Sequence, residues 1–250
     1  MSNLLVILGT DLAHDEAYYW TFSRRLDWGY FDHPPMVALW IALTSWVPGE
    51  LGVRLPFLLG IQAGAALLAQ LVPSERRWQI WAGFNVFPLL AFMGVFALPD
   101  GPLVVLSVFW LWALERSLAR DDYVHALLMG IASALLLYAK YHGVLFLAGA
   151  LVALPRLWLR PTFWVAMAVA LLVFAPHVWW QQAHGFPTFR YHFIDRPSAP
   201  GGVLSLATYL GLQLVLPALV LGPALWRAWW RARPASDFER ALKVIAAFVP

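Results

Sequence analysis

Residues 36–47 read MVALWIALTSWV and are closed by Pro48 and Gly49. The run is as apolar as a membrane-spanning helix. However, twelve residues at about 1.5 Å each rise only about 18 Å, against roughly 30 Å of bilayer hydrocarbon. Whether this run crosses decides on which side every later loop lies. Its length makes it a re-entrant or interfacial helix.

The rest of the chain supports a membrane setting. Of 250 residues, 61% are hydrophobic and 12% charged, and the mean hydropathy is +0.66. A soluble domain is closer to 45–50% apolar and about 25% charged. The expected class is therefore an all-α, polytopic helical bundle in a lipid bilayer. There is no cysteine, which excludes disulfides and thiolate metal sites, and a net charge of +3 is too small and scattered for a nucleic-acid footprint. Met1–Thr10 lacks the basic and small-residue pattern of a cleavable leader.

Seven stretches have the length and apolarity of full spans: Leu51–Val72, Trp78–Leu98, Pro102–Leu118, Tyr123–Ala139, Gly143–Trp158, Thr162–Trp180 and Val203–Trp226. Pro88, Pro176 and Pro217 should kink or loosen their helices from within. The first dozen residues and Leu242–Pro250 are too short to cross, so the pattern predicts truncated segments at both ends of one domain covering 1–250. With alternating crossings, eleven of the 17 Lys and Arg residues fall on one side, among them Arg76, Arg116, Arg156, Arg160 and Arg240, and six on the other. The richer side is expected to be cytoplasmic. Trp158, Trp179, Trp180, Trp226, Trp229 and Trp230 lie at span ends, where an aromatic belt is the ordinary explanation.

Two external segments follow, a loop over 13–50 that includes the interfacial helix and a second loop over 181–202. They and the nearby span ends carry His14, Asp15, Glu16, Asp32, His33, Arg54, Asp100, Lys140, His142, His184, Arg190 and His192. Each alone is ordinary loop material, but a charge at the end of an apolar span, as at Asp100 and Lys140, is costly unless it snorkels, is paired or works. Carboxylates beside cations fit a base that takes a proton from a hydroxyl while a phosphate leaves, with Asp15 as base and Lys140, His33 or Arg190 holding the phosphate. A phosphatase or a transporter could use the same residue types. The spacing of His142, His177, His184 and His192 matches no helical ligand pair, so no metal site is assigned. Tyr18, Tyr19 and Trp20 read as interfacial packing, and Arg24 and Arg25 as partners of Asp27 or of headgroups.

The motifs DEAYYW, YFDHPPM, LPDGPL, AKYHGVLF and PHVWWQQAHGFPTFRYHF, with the weaker VRLPF, occur in that order from His14 to Phe193. In order and approximate spacing they resemble bacterial members of glycosyltransferase family 39, relatives of protein O-mannosyltransferases and of the lipid A aminoarabinose transferase. The resemblance implies a GT-C-like fold, a polyprenyl-phosphate sugar as donor, an acceptor with a free hydroxyl (protein, lipid or glycan) and an active site on the periplasmic or extracellular face of the plasma (inner) membrane. It implies no cofactor; a divalent cation is allowed but not required.

By the same resemblance Asp15 matches the catalytic base, Glu16 its companion in a structural or orienting role, and Asp100 a second acidic position facing the same cavity. Lys140, His33 and Arg190 would contact the donor phosphate, His33 standing where the aminoarabinose branch tends to have Lys. Asp32, Tyr141 and His192 would contact substrate. Two other classes stay open: a secondary transporter, which would typically hold its ionisable groups near the bilayer midplane, and a non-catalytic remnant or scaffold subunit of the same family.

Overall fold

In the computed structural model the described residues are 9–195, 227 and 229–248. Every regular element among them is helical. In chain order they are α1 His14–Ser23, α2 Met36–Leu43, α3 Gly49–Leu68, α4 Arg77–Val86, α5 Pro88–Met93, α6 Asp100–Ala119, α7 Tyr123–Ala139, α8 Gly143–Ala153, α9 Pro161–Ala183, α10 Pro187–Arg190 and α11 Asp237–Phe248. Short 3₁₀ turns follow α3 and α8, and a π turn, Tyr191–Asp195, follows α10.

The run at 36–47 forms a helix of eight residues, α2, about 12 Å long. It is too short to cross, and it buries Val37 and Ile41 against Tyr19, Val53 and Phe57. Pro48 and Gly49 then reverse the chain; Gly49 has φ +72°, a left-handed conformation that glycine adopts without steric cost. Among the described residues, three helices are long and apolar enough to span: Gly49–Leu71 counted with its 3₁₀ extension, Asp100–Ala119 and Pro161–Ala183. Tyr123–Ala139 and Gly143–Ala153 are apolar but shorter.

Two expected spans differ from the helices found. Trp78–Leu98 is divided between α4 and α5, because Phe87, held extended at ψ 116° before Pro88, interrupts the helix. The segment drawn as Gly143–Trp158 ends as α-helix at Ala153 and tightens into a 3₁₀ turn from Pro155. Pro176, by contrast, leaves α9 continuous over 23 residues. Val203–Trp226, with Pro217, lies outside the described residues, as do residues 1–8.

The bundle's core lies where α6, α7 and α8 meet. Trp110 is 1% exposed and its indole donates to Ser133 Oγ at 3.0 Å, which in turn donates to the Met129 carbonyl. α7 packs along α9 with almost no clearance at Gly130, where an added Cβ would stand 2.6 Å from both the Ala166 carbonyl oxygen and Val169 Cβ. α11 closes the same core by burying Ala241 and Ile245 beside Phe146 and Ala150.

This antiparallel arrangement sorts the charges. The start of α6 and the ends of α7 and α9 lie at one end of the bundle, together with α1 and α2. At the other end, Asp121 accepts a hydrogen bond from Thr162 and has Arg160 Nε at 3.7 Å.

Candidate functional site

Asp15 and Glu16 are adjacent in the first turn of α1, where the helix dipole favours carboxylates. Helical rotation of about 100° per residue sends them to different surroundings. The Asp15 side chain is 74% exposed, with His14 Nδ1 3.9 Å away. Glu16 is fully buried. Its Oε1 accepts from Arg54 Nε at 2.8 Å and from the Ala97 amide at 3.0 Å, and its Oε2 from Arg54 Nη2 at 2.7 Å and the Ala13 amide at 2.9 Å. Burial alone would raise the Glu16 carboxyl's pKa, but Arg54 and the two amides outweigh it and hold it below the ordinary value. The same guanidinium donates to the Thr10 and Asp11 carbonyls and to Thr10 Oγ1. Arg54 therefore ties the chain entering α1 to α3.

Asp32 and His33, before α2, form a second pair. Asp32 Oδ2 lies 3.1 Å from His33 Nδ1, and Asp32 Oδ1 accepts from the Tyr18 hydroxyl at 3.1 Å. Burial would raise the Asp32 pKa, but His33 and Tyr18 pull it below the usual carboxylate value. From the later loop, His192 Nε2 donates to the Asp32 carbonyl at 3.0 Å, and its ring lies 6.4 Å from that of His33. A third pair joins the start of α6 to the end of α7: Lys140 Nζ donates to Asp100 Oδ1 at 2.8 Å, both side chains half-buried. Lys140 is thus a shared cation, and Asp100 sets where its charge sits.

Tyr19 links these groups. Burial, and then the charges of Asp32 and Asp15, followed by smaller effects from Tyr18 and Asp100, push its phenol well above its ordinary value. One hydroxyl is therefore within the electrostatic reach of all three aspartates. His142 plays the matching part among the cations. Desolvation and Lys140 hold its imidazole below the ordinary value, Asp100 opposes them, and His192 and His33 add to the lowering. The sequence marks His142 only as one of the external ionisable residues, with no role assigned, and Tyr19 only as packing, which Tyr19 also provides, being 7% exposed.

Tyr141 is used differently from expectation. Its hydroxyl donates to His177 Nε2 at 2.7 Å and accepts from Gln181 Nε2 at 3.1 Å. His177 Nδ1 donates to the Trp28 carbonyl, while Gln181 also donates to Thr188 Oγ1, which donates to the Tyr30 carbonyl. This buried chain bolts the end of α9 to the 28–33 loop and leaves only the Tyr141 ring, stacked on Phe189, for any ligand. Burial pushes the Tyr141 phenol up to about 12. His177, Gln181 and Thr188 were present in the quoted motif but carried no sign of their pairing. Arg190 is exposed and has no ion pair among the described residues. Arg24 packs over the Trp20 ring at 5.7 Å and is not paired with Asp27. No three His, Asp or Glu side chains converge as a metal-holding group among the described residues.

The helices that gather these paired acids and bases at one end belong to a chain of the GT-C glycosyltransferase class, which the relatives and not the geometry establish. The family model for dolichyl-phosphate-mannose-protein mannosyltransferases matches residues 32–180, and the chain belongs to that family. Two curated relatives come from Rhizobium johnstonii. Lipid A galacturonosyltransferase RgtD is 30% identical, the match covering 97% of this chain and 57% of the relative. Lipopolysaccharide core galacturonosyltransferase RgtA is 27% identical, with 96% and 51% covered. The chain thus spans about half the length of these relatives. No solved structure matches it.

Proposed function

We propose that the protein transfers a sugar from a polyprenyl-phosphate donor to an acceptor hydroxyl at the Asp15–Asp100 end of the bundle. The carrying observation is that Asp15 is an exposed carboxylate on a helix fixed by the Glu16–Arg54 clamp, beside two acid–base pairs. Asp15 takes the proton of the acceptor hydroxyl as that oxygen attacks the anomeric carbon in line. The bond from that carbon to the phosphate oxygen breaks, and its electron pair leaves with the polyprenyl phosphate. Lys140, positioned by Asp100, and His33 and Arg190 offset the phosphate's negative charge. Asp32 and His192 shape the neighbouring wall.

The names of the two relatives favour a galacturonosyl group and an acceptor in lipid A or the lipopolysaccharide core. The asymmetry of Lys and Arg favours placing the site on the periplasmic face of the inner membrane, in an arrangement of about seven spans. The test is transfer of radiolabelled sugar from a lipid-linked donor by the purified protein. Asp15→Asn is expected to lower turnover by about 10²–10⁴-fold. Wild-type turnover in that variant removes the base assignment.

A further inference from the structure

The end of the bundle away from the carboxylates holds two adjoining cavities. The first is a cleft among α6, α7, α8 and α9, walled by apolar side chains including Trp110, Leu114, Met129, Leu147 and Met167. The second is a polar space of about 390 Å³ bordered by Arg156, Arg160, Arg240 and Asp237. They share Leu118, Leu157 and Arg160, so the apolar cleft and the cationic space are divided by no more than these side chains.

The charges there do not cancel. Arg240 is paired with Asp237 at 3.0 Å and Arg160 lies 3.7 Å from Asp121, but Arg156 is exposed and has no ion pair among the described residues. The excess of cations attracts an anion, and arginine binds phosphate oxygens in a directed, two-pronged manner. Basic pockets between membrane helices take anionic lipid headgroups. A soluble phosphate would use the polar space and leave the cleft empty.

We propose that the two cavities form a binding site for one anionic glycerophospholipid of the surrounding bilayer, its phosphodiester between Arg156 and Arg160, with a few methylenes of one acyl chain entering the cleft of about 70 Å³ and the rest of that chain lying along the helices in the bilayer. The site lies about 30 Å from Asp100, the length of the 20-residue α6. It is therefore separate from the place assigned to the sugar donor. A lipid seated there joins α6, α8, α9 and α11, adding to the Asp121 contacts with Thr162 and Arg160 and to the packing of α11.

The test uses the purified protein in neutral detergent, titrated with phosphatidylglycerol, phosphatidylcholine or glycerol 3-phosphate and read by native mass spectrometry and thermal unfolding. One phosphatidylglycerol per chain is expected to bind and raise the unfolding temperature, with phosphatidylcholine binding weaker. Arg156→Gln, an exposed position that leaves the core intact, should weaken phosphatidylglycerol about fivefold, and Arg156→Gln with Arg160→Gln about 25-fold. Leu147→Trp, which fills the cleft, should lower phosphatidylglycerol retention with both arginines present. Equal binding of the two lipids, or wild-type affinity in the double variant, overturns the proposal. Full competition by glycerol 3-phosphate at equal affinity also overturns it, by making the site one for phosphate alone.

Discussion

Neighbouring carboxylates in the sequence do opposite work. Glu16 is buried and has every lone-pair direction engaged by Arg54, Ala97 and Ala13, whereas Asp15 faces outward. Arg54→Met leaves a buried charge uncompensated and should cost about 3–5 kcal/mol in detergent unfolding. Adding Glu16→Gln should restore part of that loss, so the two effects will not add. Because the Glu16 pKa is depressed in the folded protein, its contribution is complete above the ordinary value of 4.5 and is lost as pH falls through the lower folded value. Unfolding followed from pH 7 to pH 3 should therefore show an acid-sensitive component in the wild type that Glu16→Gln lacks. The sequence announced Asp15 and Glu16 as a pair. It could not say which was buried, because the deciding partners lie 38 and 81 residues away.

At the level of elements, hydropathy located the helices better than it located their breaks. The eight-residue α2 was legible because Pro48 and Gly49 limit an apolar run that is visibly short. The division at Phe87 was harder to see, since a hydropathy window registers apolarity and not the extended backbone that Pro88 imposes one residue earlier. Close helix contacts were invisible for a similar reason. Gly130 looks like any glycine in a span, yet it admits the Ala166 backbone. Gly130→Ala should force α7 from α9 and destabilise by about 1–3 kcal/mol. Gly83→Ala in α4, where an added Cβ meets nothing within 4 Å, should instead stabilise by about 0.5–1 kcal/mol. Circular dichroism melts of the two variants in one detergent separate these outcomes.

Across the whole molecule, segregation of charge was the strongest signal that the sequence contained. Asp32, His33, Asp100, Lys140 and His192 lie at the end that also holds Glu16 and Arg54, although their pairing, Asp100 with Lys140 and Asp32 with His33, required the three-dimensional arrangement. The chain has no cysteine, so single replacements can report its orientation. A membrane-impermeant maleimide added to spheroplasts should label His14→Cys, while Arg120→Cys should react only after permeabilisation; the reverse pattern would invert the proposed topology. The distances along the chain between contacting groups also set an order in time. Asp15 is synthesised early, but Glu16 beside it waits for Ala97, and the Asp32 carbonyl meets His192 only 160 residues later. The exposed carboxylate thus passes through membrane insertion with its surroundings incomplete. A nascent chain stalled before α9 would hold Asp15, the proposed base, without the His177 and His192 contacts that brace the 28–33 loop, and under the proposed function it should be inactive.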